Sequence, residues 1–509
     1  MENTLLSVYE QQLKTAVHGK AVLTVVNSRL ESADVDFFSL DESSARAAGF
    51  LSRSGCSRGD RVLISLRESL PLEAFFWGAL KIGAVPCVLF PELGPGGLEV
   101  RLKAAEAAYW VTDADPSKFT GKVTFPASLK KVITTADFTE DDFCVPYHEA
   151  DQLPIEDIAA VEPGDDAFIV FTSGTTGVPK PVVHRHGIAD AILRSMKEVL
   201  HAGQDDIFWC TAHPAWITGT VYGLLGPVLC GIRSIRYDGS FHAKRWMPIL
   251  EKQKVSLWYT APTALRAMMR EDVSFYHGFD LSALRQIYSI GEPLSARVCE
   301  WVEEAFRRPV YDTWFQTECG TIRIAGQPGT GFIPGTMGKP VDDAEVRVDP
   351  SGRLWLKAGF PSMFSRYDWM EAETAAKFTD GWYDTGDLVT LTEDGALRFK
   401  SRADEVINTS GHLVGPMEVE QVLTAHPAVA AAAVTSEPDE LLYEVPVAYL
   451  VLQPGQEWTR SLETALKVAV NGGVSVYAVP KRFYVVKDLP LTGSGKIDRK
   501  SLSILRPAD

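Results

Sequence analysis

Short apolar runs alternate with helical patterns along the chain, and this alternation constrains the fold more than any other feature. Arg61–Leu66 and Tyr109–Thr112 have the length of buried strands, and Leu72–Ile82 has helical periodicity. Such alternation favours a mostly parallel sheet with helices on its faces. The pattern resumes at Ala167–Phe171, Val255–Thr260 and Gln286–Ile290. We therefore predict an α/β fold with a large N-terminal body of mostly parallel sheets flanked by helices.

The pattern changes after about residue 340. Glu345–Val348 and Arg353–Lys357 alternate like half-exposed strands around a turn at Pro350–Gly352. This arrangement predicts a small antiparallel or barrel-like subdomain.

A further unit is expected to begin near residue 402. The helical spacing that follows Gly415-Pro416 predicts a helix, and Ala430–Val434 and Val445–Val451 predict a strand pair. We therefore expect two domains, a body over residues 1–401 and a small C-terminal α+β domain over residues 402–509.

Composition excludes several classes of protein. The chain has 509 residues, 46% of them hydrophobic and 23% charged, as in globular proteins that are not embedded in a membrane. Its net charge of −16, without a long basic run, argues against a nucleic-acid or anionic-membrane surface. We expect no membrane span and no signal peptide, because no apolar stretch is long enough. The seven scattered cysteines argue against disulfides and metal cages and favour the cytoplasm.

A dense cluster of hydroxyl and glycine residues, Ser173 to Gly177, follows the apolar run Ala167–Phe171, and Lys180 follows soon after. Small residues of this kind allow backbone N–H groups to approach an anionic ligand closely. A Walker loop would need Gly-Lys-Ser/Thr at the position of Pro179-Lys180-Pro181, and a proline donates no N–H there. The cluster therefore predicts a phosphate-binding loop of another kind.

The stretch Thr172–Lys180 resembles the phosphate-binding signature of the adenylate-forming superfamily, which includes acyl-CoA synthetases, peptide-synthetase adenylation domains and luciferases. Five further segments match motifs of that superfamily in the same order. They are Ser289–Pro293, Asp312–Glu318, Tyr383–Asp387, Lys400–Gly411 and Leu489–Ile497. Residues 1–165 carry no motif of their own.

The resemblance implies an AMP-forming acyl-CoA synthetase with ATP and CoA as substrates and Mg²⁺ as a cofactor. ATP would first activate a carboxylic acid as an acyl-adenylate and release pyrophosphate, and the CoA thiol would then displace AMP. A mobile C-terminal lid would alternate between the two steps. Both sides of the reaction are close in free energy, so it can also run towards ATP when pyrophosphate persists.

The same resemblance assigns roles to individual residues. The catalytic group comprises Lys496, Thr317 and Glu318, with Glu318 as the magnesium ligand. The residues matched to ATP phosphate binding are Thr172, Ser173, Gly174, Thr175, Thr176, Gly177 and Lys180. Those matched to adenine and ribose binding are Gly291, Glu292, Pro293, Asp312, Thr313, Asp387 and Arg402. Ser410 and Gly411 match the CoA tunnel, and Asp404 matches the hinge.

The expected acyl pocket contains Trp216, Ile217, Thr218, Ile290, Trp314 and Phe315. These segments resemble those of acetyl- and propionyl-CoA synthetases. The position of Phe315 is glycine in members with large substrates and tryptophan in acetyl-CoA synthetases. A bulky phenylalanine therefore predicts a shallow apolar floor and a short unbranched acid, with acetate as the first expectation and propionate also plausible.

Three alternatives stay open: a ligase for a medium-chain, cyclic or aryl acid, an adenylation enzyme that loads a carrier protein, and a regulatory nucleotide-binding protein. Three departures from the family pattern accompany them. Pro181 replaces a usual glycine and Leu413 a usual arginine. The long N-terminal extension of acetyl-CoA synthetases is not found, so their contacts to the CoA nucleotide are not carried over. Oligomeric state is not predicted.

Overall fold

The computed structural model describes residues 3–119, 121–136, 143–155, 157–172, 179–403, 406–409, 412–439, 443–491 and 497–505. The chain divides into two compact units. The first comprises Met1–Glu345 with Lys357–Tyr383, and the second comprises Val346–Leu356 with Asp384–Asp509. The domain boundary expected at residue 402 stays a prediction.

The largest sheet of the first unit has nine strands. Across the sheet they are Lys339–Pro340, Ile324–Ala325, Val310–Trp314, Gln286–Ser289, Leu257–Thr260, Ile207–Cys210, Arg233–Tyr237, Ala21–Val26 and Ser32–Asp36. The six strands from Val310–Trp314 to Ala21–Val26 pair in parallel, and the outer strands are antiparallel. The strands predicted at Val255–Thr260 and Gln286–Ile290 are thus confirmed with slightly shorter bounds.

A second sheet of the first unit is entirely parallel. Its strands are Val85–Val88, Arg61–Ser65, Tyr109–Thr112, Lys131–Thr134 and Cys144–Pro146. The helix predicted at Leu72–Ile82 runs from Leu70 to Lys81. It begins after Ser69, whose hydroxyl accepts the Leu72 N–H, and Pro71 occupies its first turn, where a missing N–H costs nothing.

The third sheet of the first unit corrects one prediction. The predicted strand Ala167–Phe171 is found as Asp166–Thr172, but it pairs antiparallel with Lys180–Arg185, which in turn pairs antiparallel with Arg366–Tyr367. The expectation that this run continues the parallel pattern is wrong. A parallel partner requires a crossover of a dozen or more residues, and the chain returns after only seven.

Helices pack on these sheets. The α-helices of the first unit are Leu5–Thr15, Phe37–Arg53, Leu70–Lys81, Pro95–Ala104, Ala189–Arg194, Gly226–Cys230, Ala243–Lys252, Pro262–Met268, Val273–Tyr276, Ala296–Phe306 and Glu371–Ala375. Ser195–Val199 and Gly219–Leu225 are π-helical, and Pro116–Phe119, Glu149–Asp151, His186–Ile188 and Thr317–Cys319 are 3₁₀ turns. One core cluster joins Met247 and Val302 from two helices to Trp258 from the nine-stranded sheet. A short hairpin pairs Phe378–Thr379 with the start of Trp382–Leu391.

The second unit begins with antiparallel strands. Val346–Val348 pairs with Arg353–Lys357, and Asp387 to Leu391 pairs with Leu397–Arg402. A further sheet has the order His412–Val414, Ile407–Thr409, Tyr443–Leu452 and Val429–Asp439, with Arg482–Val485 parallel to Tyr443–Leu452. Its helices are Pro416–Ala425 and Arg460–Gly473, with 3₁₀ turns at Val476–Ala478 and Arg499–Leu505. The predicted hairpin around residue 350, the helix after Gly415 and the later strand pair are confirmed.

Among the described residues, no helix combines the length and the apolar character that crossing a bilayer requires. All seven cysteines are free thiols. The cytoplasmic location stays a prediction.

Candidate active site

Most predicted site residues of the first unit lie at one edge of the nine-stranded sheet. Ile290 and Gly291 follow the strand Gln286–Ser289, and Trp314 and Phe315 lie at the end of its neighbour Val310–Trp314. Trp216, Ile217 and Thr218 follow Ile207–Cys210 in the same parallel set. Because parallel strands end at the same edge, and ligands bind outside the carboxyl ends of such strands, this edge is the candidate site.

The predicted pocket floor has a second layer behind it. Phe315, Ile217, Thr218 and Ile290 are all buried. The Phe315 ring meets the Tyr222 ring edge to face, with 5.6 Å between centroids. Tyr222 lies in the π-helical segment Gly219–Leu225, directly after Thr218. Sequence reasoning missed Tyr222, although its spacing of four residues from Thr218 is a helical one.

Tyr222 is held at its hydroxyl as well as at its ring. The hydroxyl lies 2.6 Å from Ser195 Oγ and accepts the Ile322 N–H at 2.9 Å. Its ring also meets Tyr259 edge to face at 5.4 Å. A buried phenol with this set of partners has one stable position, so the wall behind Phe315 is rigid.

Trp216 belongs to a different aromatic group. Its ring meets Phe90 at 5.7 Å, and Phe90 stacks on His213 at 5.0 Å. His213 Nδ1 accepts the Ala215 N–H, and burial lowers the pKa of His213 to about 4, which keeps the ring neutral at pH 7. Phe90 is remote in sequence, and no local signal identified it.

The residues matched to adenine binding follow two adjacent strands. Gly291 has a φ of +91°, a conformation that favours glycine. The Glu292 carboxylate accepts the Thr263 hydroxyl at 2.6 Å and pairs with Arg266. Thr313 Oγ1 donates to the Ser289 carbonyl at 2.7 Å. These contacts fix the segments on either side of the predicted adenine site, which also includes Pro293.

Asp312 is a buried carboxyl with an unsatisfied atom. It is 3% exposed, and its Oδ1 has no hydrogen-bond partner among the described residues. Burial raises the pKa of Asp312 well above its ordinary range. A buried polar atom without a partner is costly, so a ligand that donates a hydrogen bond here would relieve that cost.

Glu318 and Lys180 share one neighbour, Tyr367. The Tyr367 hydroxyl donates to Glu318 Oε1 at 2.6 Å, and Lys180 Nζ lies over the Tyr367 ring at 5.0 Å from its centroid. Next to Glu318, the Thr317 carbonyl accepts from Nε2 of the buried His184 at 2.8 Å. The structure thus brings together two predicted ATP-site residues that are far apart in sequence.

The surroundings of Glu318 decide whether its carboxylate can hold magnesium. In the part of the chain that the structure describes, no group of three or more His, Cys, Asp or Glu side chains could hold a metal ion. Glu318 Oε2 has no hydrogen-bond partner within that part. Mg²⁺ usually binds to one or two carboxylates together with substrate phosphates, so this single carboxylate fits a magnesium ion that arrives with ATP.

In the second unit, Asp387 and Arg402 form a pair. They are register partners on adjacent strands, and Arg402 Nη1 donates to Asp387 Oδ1 at 2.7 Å and to the Thr385 carbonyl at 3.0 Å. Gly386 has a φ of +72°, and a Cβ there would lie 2.9 Å from Arg402 Nη2. The segment Asp384–Asp387 is therefore part of a strand, and the absence of a side chain at Gly386 leaves space for the Arg402 guanidinium.

Several predicted residues lie outside the described ones. They are Ser173, Gly174, Thr175, Thr176, Gly177, Asp404, Ser410, Gly411 and Lys496. Thr172 is described, and it pairs with Lys180 across the hairpin. The predicted roles of all these residues stay predictions.

Comparison with known proteins defines the class. Residues 11–359 match the AMP-binding enzyme family, and residues 418–496 match the AMP-binding enzyme C-terminal domain. The acetyl-coenzyme A synthetase of Bacillus subtilis is 34% identical over 481 residues, which cover 92% of this chain and 84% of that protein. The chain therefore belongs to the AMP-binding enzyme family. The similarity to the Bacillus protein places it, within that family, among the AMP-forming acid–CoA ligases.

Solved structures share the fold. An anthranilate CoA ligase in complex with anthranoyl-AMP has a TM-score of 0.87 at 23% identity, covering 99% of this chain and 97% of that one. An acyl-CoA synthetase of Brucella canis has a TM-score of 0.75 at 28% identity, covering 98% of this chain and 93% of that one. The first of these similarities supports the fold and leaves the acid open.

Proposed function

We propose that this ligase converts a short straight-chain carboxylate to its CoA thioester, and that acetate is its preferred acid. One carboxylate oxygen attacks the α-phosphorus of ATP, and the bond to pyrophosphate breaks. The CoA sulfur, after losing its proton, then attacks the carbonyl carbon of the acyl-adenylate, and AMP leaves. The chemistry of both steps depends mainly on positioning and on stabilisation of charge.

The observation that carries the choice of acid is the wall made by Phe315 and Tyr222. Phe315 would form the end of the predicted pocket, and the Tyr222 ring that packs against it is held by Ser195 and Ile322. A pocket closed by two packed rings has no room for a long chain without displacing them. The name of the Bacillus relative supports the same choice.

In the first step, Lys180 and the loop before it would bind the β- and γ-phosphates. Glu318 would hold Mg²⁺, which supplies positive charge to the triphosphate when bound. Lys496, a mobile point charge, would bridge the substrate carboxylate and the α-phosphate. Thr317 lies beside Glu318 on the same 3₁₀ turn and would belong to the same catalytic group.

The nucleoside would be held at both ends. Asp312 Oδ1, a buried acceptor without a described partner, is the atom that we expect to accept from the adenine amino group. Gly291, Glu292 and Pro293 would face the adenine ring. The Asp387 carboxylate, oriented by Arg402, would accept the ribose hydroxyls.

In the second step, Ser410 and Gly411 would border the tunnel of the CoA arm, because a side chain at the glycine would block the thiol. Asp404 would act as the hinge on which the C-terminal domain changes orientation between the steps.

The test is AMP formation by the purified chain with each of several acids, with and without CoA. The acids are acetate, propionate, butyrate, hexanoate and benzoate. We expect acetate and propionate to give the highest kcat/KM, and we expect acid-dependent exchange of pyrophosphate into ATP without CoA.

Each alternative has its own result in the same experiment. A preference for hexanoate or benzoate would assign the enzyme to longer or aromatic acids. Pyrophosphate exchange without formation of any CoA ester would indicate that a carrier protein, and not CoA, accepts the acyl group. If the chain catalyses neither pyrophosphate exchange nor AMP formation, the proposed catalysis is wrong, and a regulatory nucleotide-binding protein is the remaining hypothesis.

A further inference from the structure

We propose that Tyr367 is a positioning residue for ATP, which acts through Glu318 with its hydroxyl and through Lys180 with its ring. The inference rests on the proposed function, in which Glu318 holds the magnesium ion and Lys180 the phosphates. Tyr367 itself lies outside the motifs from which those two residues were predicted.

The hydroxyl controls the Glu318 carboxylate. Tyr367 is 2% exposed and donates to Glu318 Oε1 at 2.6 Å, the short distance of a charge-assisted hydrogen bond. Glutamate has three side-chain torsions, and this bond selects one arrangement of them. Oε1 is thereby occupied, and Oε2 is the oxygen left for a cation.

The ring controls the Lys180 ammonium. Lys180 is the first residue of its strand, and its Nζ lies 5.0 Å from the Tyr367 ring centroid. A cation over an aromatic face is attracted by the negative π surface. Lysine otherwise has many rotamers, so the contact keeps its charge within one small region.

The backbone around Tyr367 joins the two elements that it orients. Tyr367 pairs with Val182 next to the start of the Lys180 strand. Three residues earlier, the Phe364 N–H donates to the Glu318 carbonyl at 2.8 Å. One short strand therefore contacts both the phosphate-binding lysine and the metal-binding glutamate, which are 138 positions apart in the numbering.

The other side of this strand is anchored by charges. Arg366 pairs with Asp166 at 2.6 Å and with Asp368 at 2.9 Å, and Arg61 pairs with Asp368 at 2.9 Å. Asp368 is buried, so a shift of the strand would leave its charge uncompensated. Tyr367 is thus presented from a rigid base, as positioning requires.

The experiment measures ATP binding by calorimetry, with Mg²⁺ and with EDTA, on the full chain. The measured quantity is the ratio of the two dissociation constants, which is a binding readout independent of turnover. Tyr367→Phe keeps the ring and removes the hydroxyl, whereas Tyr367→Leu removes both. Tyr288→Phe is the matched control, because Tyr288 is buried and donates to the neutral amide of Gln286 at 2.9 Å.

We expect Tyr367→Phe to reduce the magnesium-dependent gain in affinity about tenfold, the effect of losing a hydrogen bond to a charged group. Its metal-free affinity should stay unchanged. Tyr367→Leu should in addition weaken metal-free ATP binding about two- to fivefold, because the cation–π contact of Lys180 is lost. Tyr288→Phe should leave the ratio of the two dissociation constants unchanged.

A double mutant separates positioning from general packing. In a Glu318→Gln background the metal ligand is already impaired, so adding Tyr367→Phe should cause no further loss in the ratio. An equal loss in both backgrounds would overturn the hydroxyl role, as would an unchanged ratio in Tyr367→Phe alone. Equal metal-free affinities of the Phe and Leu variants would overturn the role of the ring.

The same measurements distinguish this inference from the function on which it rests. If the wild-type chain binds no ATP, the proposed function and the inference are both wrong. If the wild-type chain binds ATP more tightly with magnesium and Tyr367→Phe does so equally, only the inference is wrong. Melting temperatures identify any variant that is unfolded. Because Tyr367→Phe keeps the ring and loses only the hydroxyl, its binding ratio alone tests the role of the hydroxyl.

Discussion

The Phe315 and Tyr222 rings pack edge to face with 5.6 Å between their centroids, so two aromatic layers lie where we predict the acyl pocket to end. Only the first layer belongs to a recognisable motif. The second is fixed through its hydroxyl to Ser195 and to the Ile322 N–H, on segments distant in sequence. We therefore expect the length of the preferred acid to depend on both layers, and mutation can separate their contributions.

Phe315→Gly should lengthen the preferred acid. Removing the ring opens a cavity of about the size of a benzyl group, and each methylene that enters it gains about 0.8 kcal/mol of apolar burial. The two extra methylenes of butyrate correspond to an upper limit of about 15-fold over acetate, and three methylenes of a longer acid inside the cavity correspond to about 60-fold. The measurement is kcat/KM for acetate, butyrate and hexanoate. An unchanged ratio between these acids would place the pocket floor elsewhere and remove the main reason for a short acid.

Tyr222→Phe should destabilise the protein and change acid length much less than Phe315→Gly. The change leaves the Ile322 N–H and the Ser195 hydroxyl without their partner, which costs about 1–3 kcal/mol when such groups are buried. Urea unfolding measures the loss, and the acid panel measures the preference. Ser195→Ala is the control, because it removes only one of the two contacts and should cost less. A Tyr222→Phe protein as stable as the wild type would show that the hydroxyl does not hold the wall.

Much of this architecture was predictable because its signals are local. The strand Tyr109–Thr112 was found with its predicted bounds, since a buried strand requires a run of apolar residues and nothing remote. The pairing direction of the strand Asp166–Thr172 could not be predicted, because the same apolar run suits parallel and antiparallel pairing. Tyr367 lies 49 residues from the glutamate that it contacts, and no local pattern indicates that distance. The motif residues were thus predictable, whereas the residues that orient them depended on tertiary packing.

Stability should fall as the pH is lowered from about 6.5 to about 4, in part because of His184. Burial lowers the pKa of His184 to about 4 in the folded state, and an unfolded histidine titrates near 6.5. Between these values the unfolded state binds more protons, so acid favours unfolding, and the stabilisation is fully present only above pH 6.5. The loss is on the order of 3 kcal/mol for this one group. The measurement compares urea unfolding at pH 7 and pH 5 in wild type and His184→Gln, and equal pH dependence in both would contradict it.

Lys496→Ala should abolish adenylation and largely spare the second step. The lysine is proposed to stabilise charge only while the carboxylate attacks the α-phosphate, so a supplied acetyl-adenylate bypasses the need for it. Acid-dependent pyrophosphate exchange measures the first step, and acetyl-CoA formation from acetyl-adenylate measures the second. Lys487→Ala, in the same C-terminal region and outside the motif, is the control. Equal loss of both half-reactions would refute a role confined to adenylation.

Asp404→Pro should have the opposite effect. Proline fixes φ near −65° and removes the N–H, so a hinge residue that must change its backbone angles between the two steps would be restricted to one state. We expect pyrophosphate exchange to persist while formation of the CoA ester collapses. Asp404→Ala is the matched control, since alanine leaves the backbone free and should keep most of the overall rate. Normal turnover in the proline variant would show that the chain does not pivot at Asp404. Loss of both half-reactions with an unchanged melting temperature would show that residue 404 serves adenylation directly.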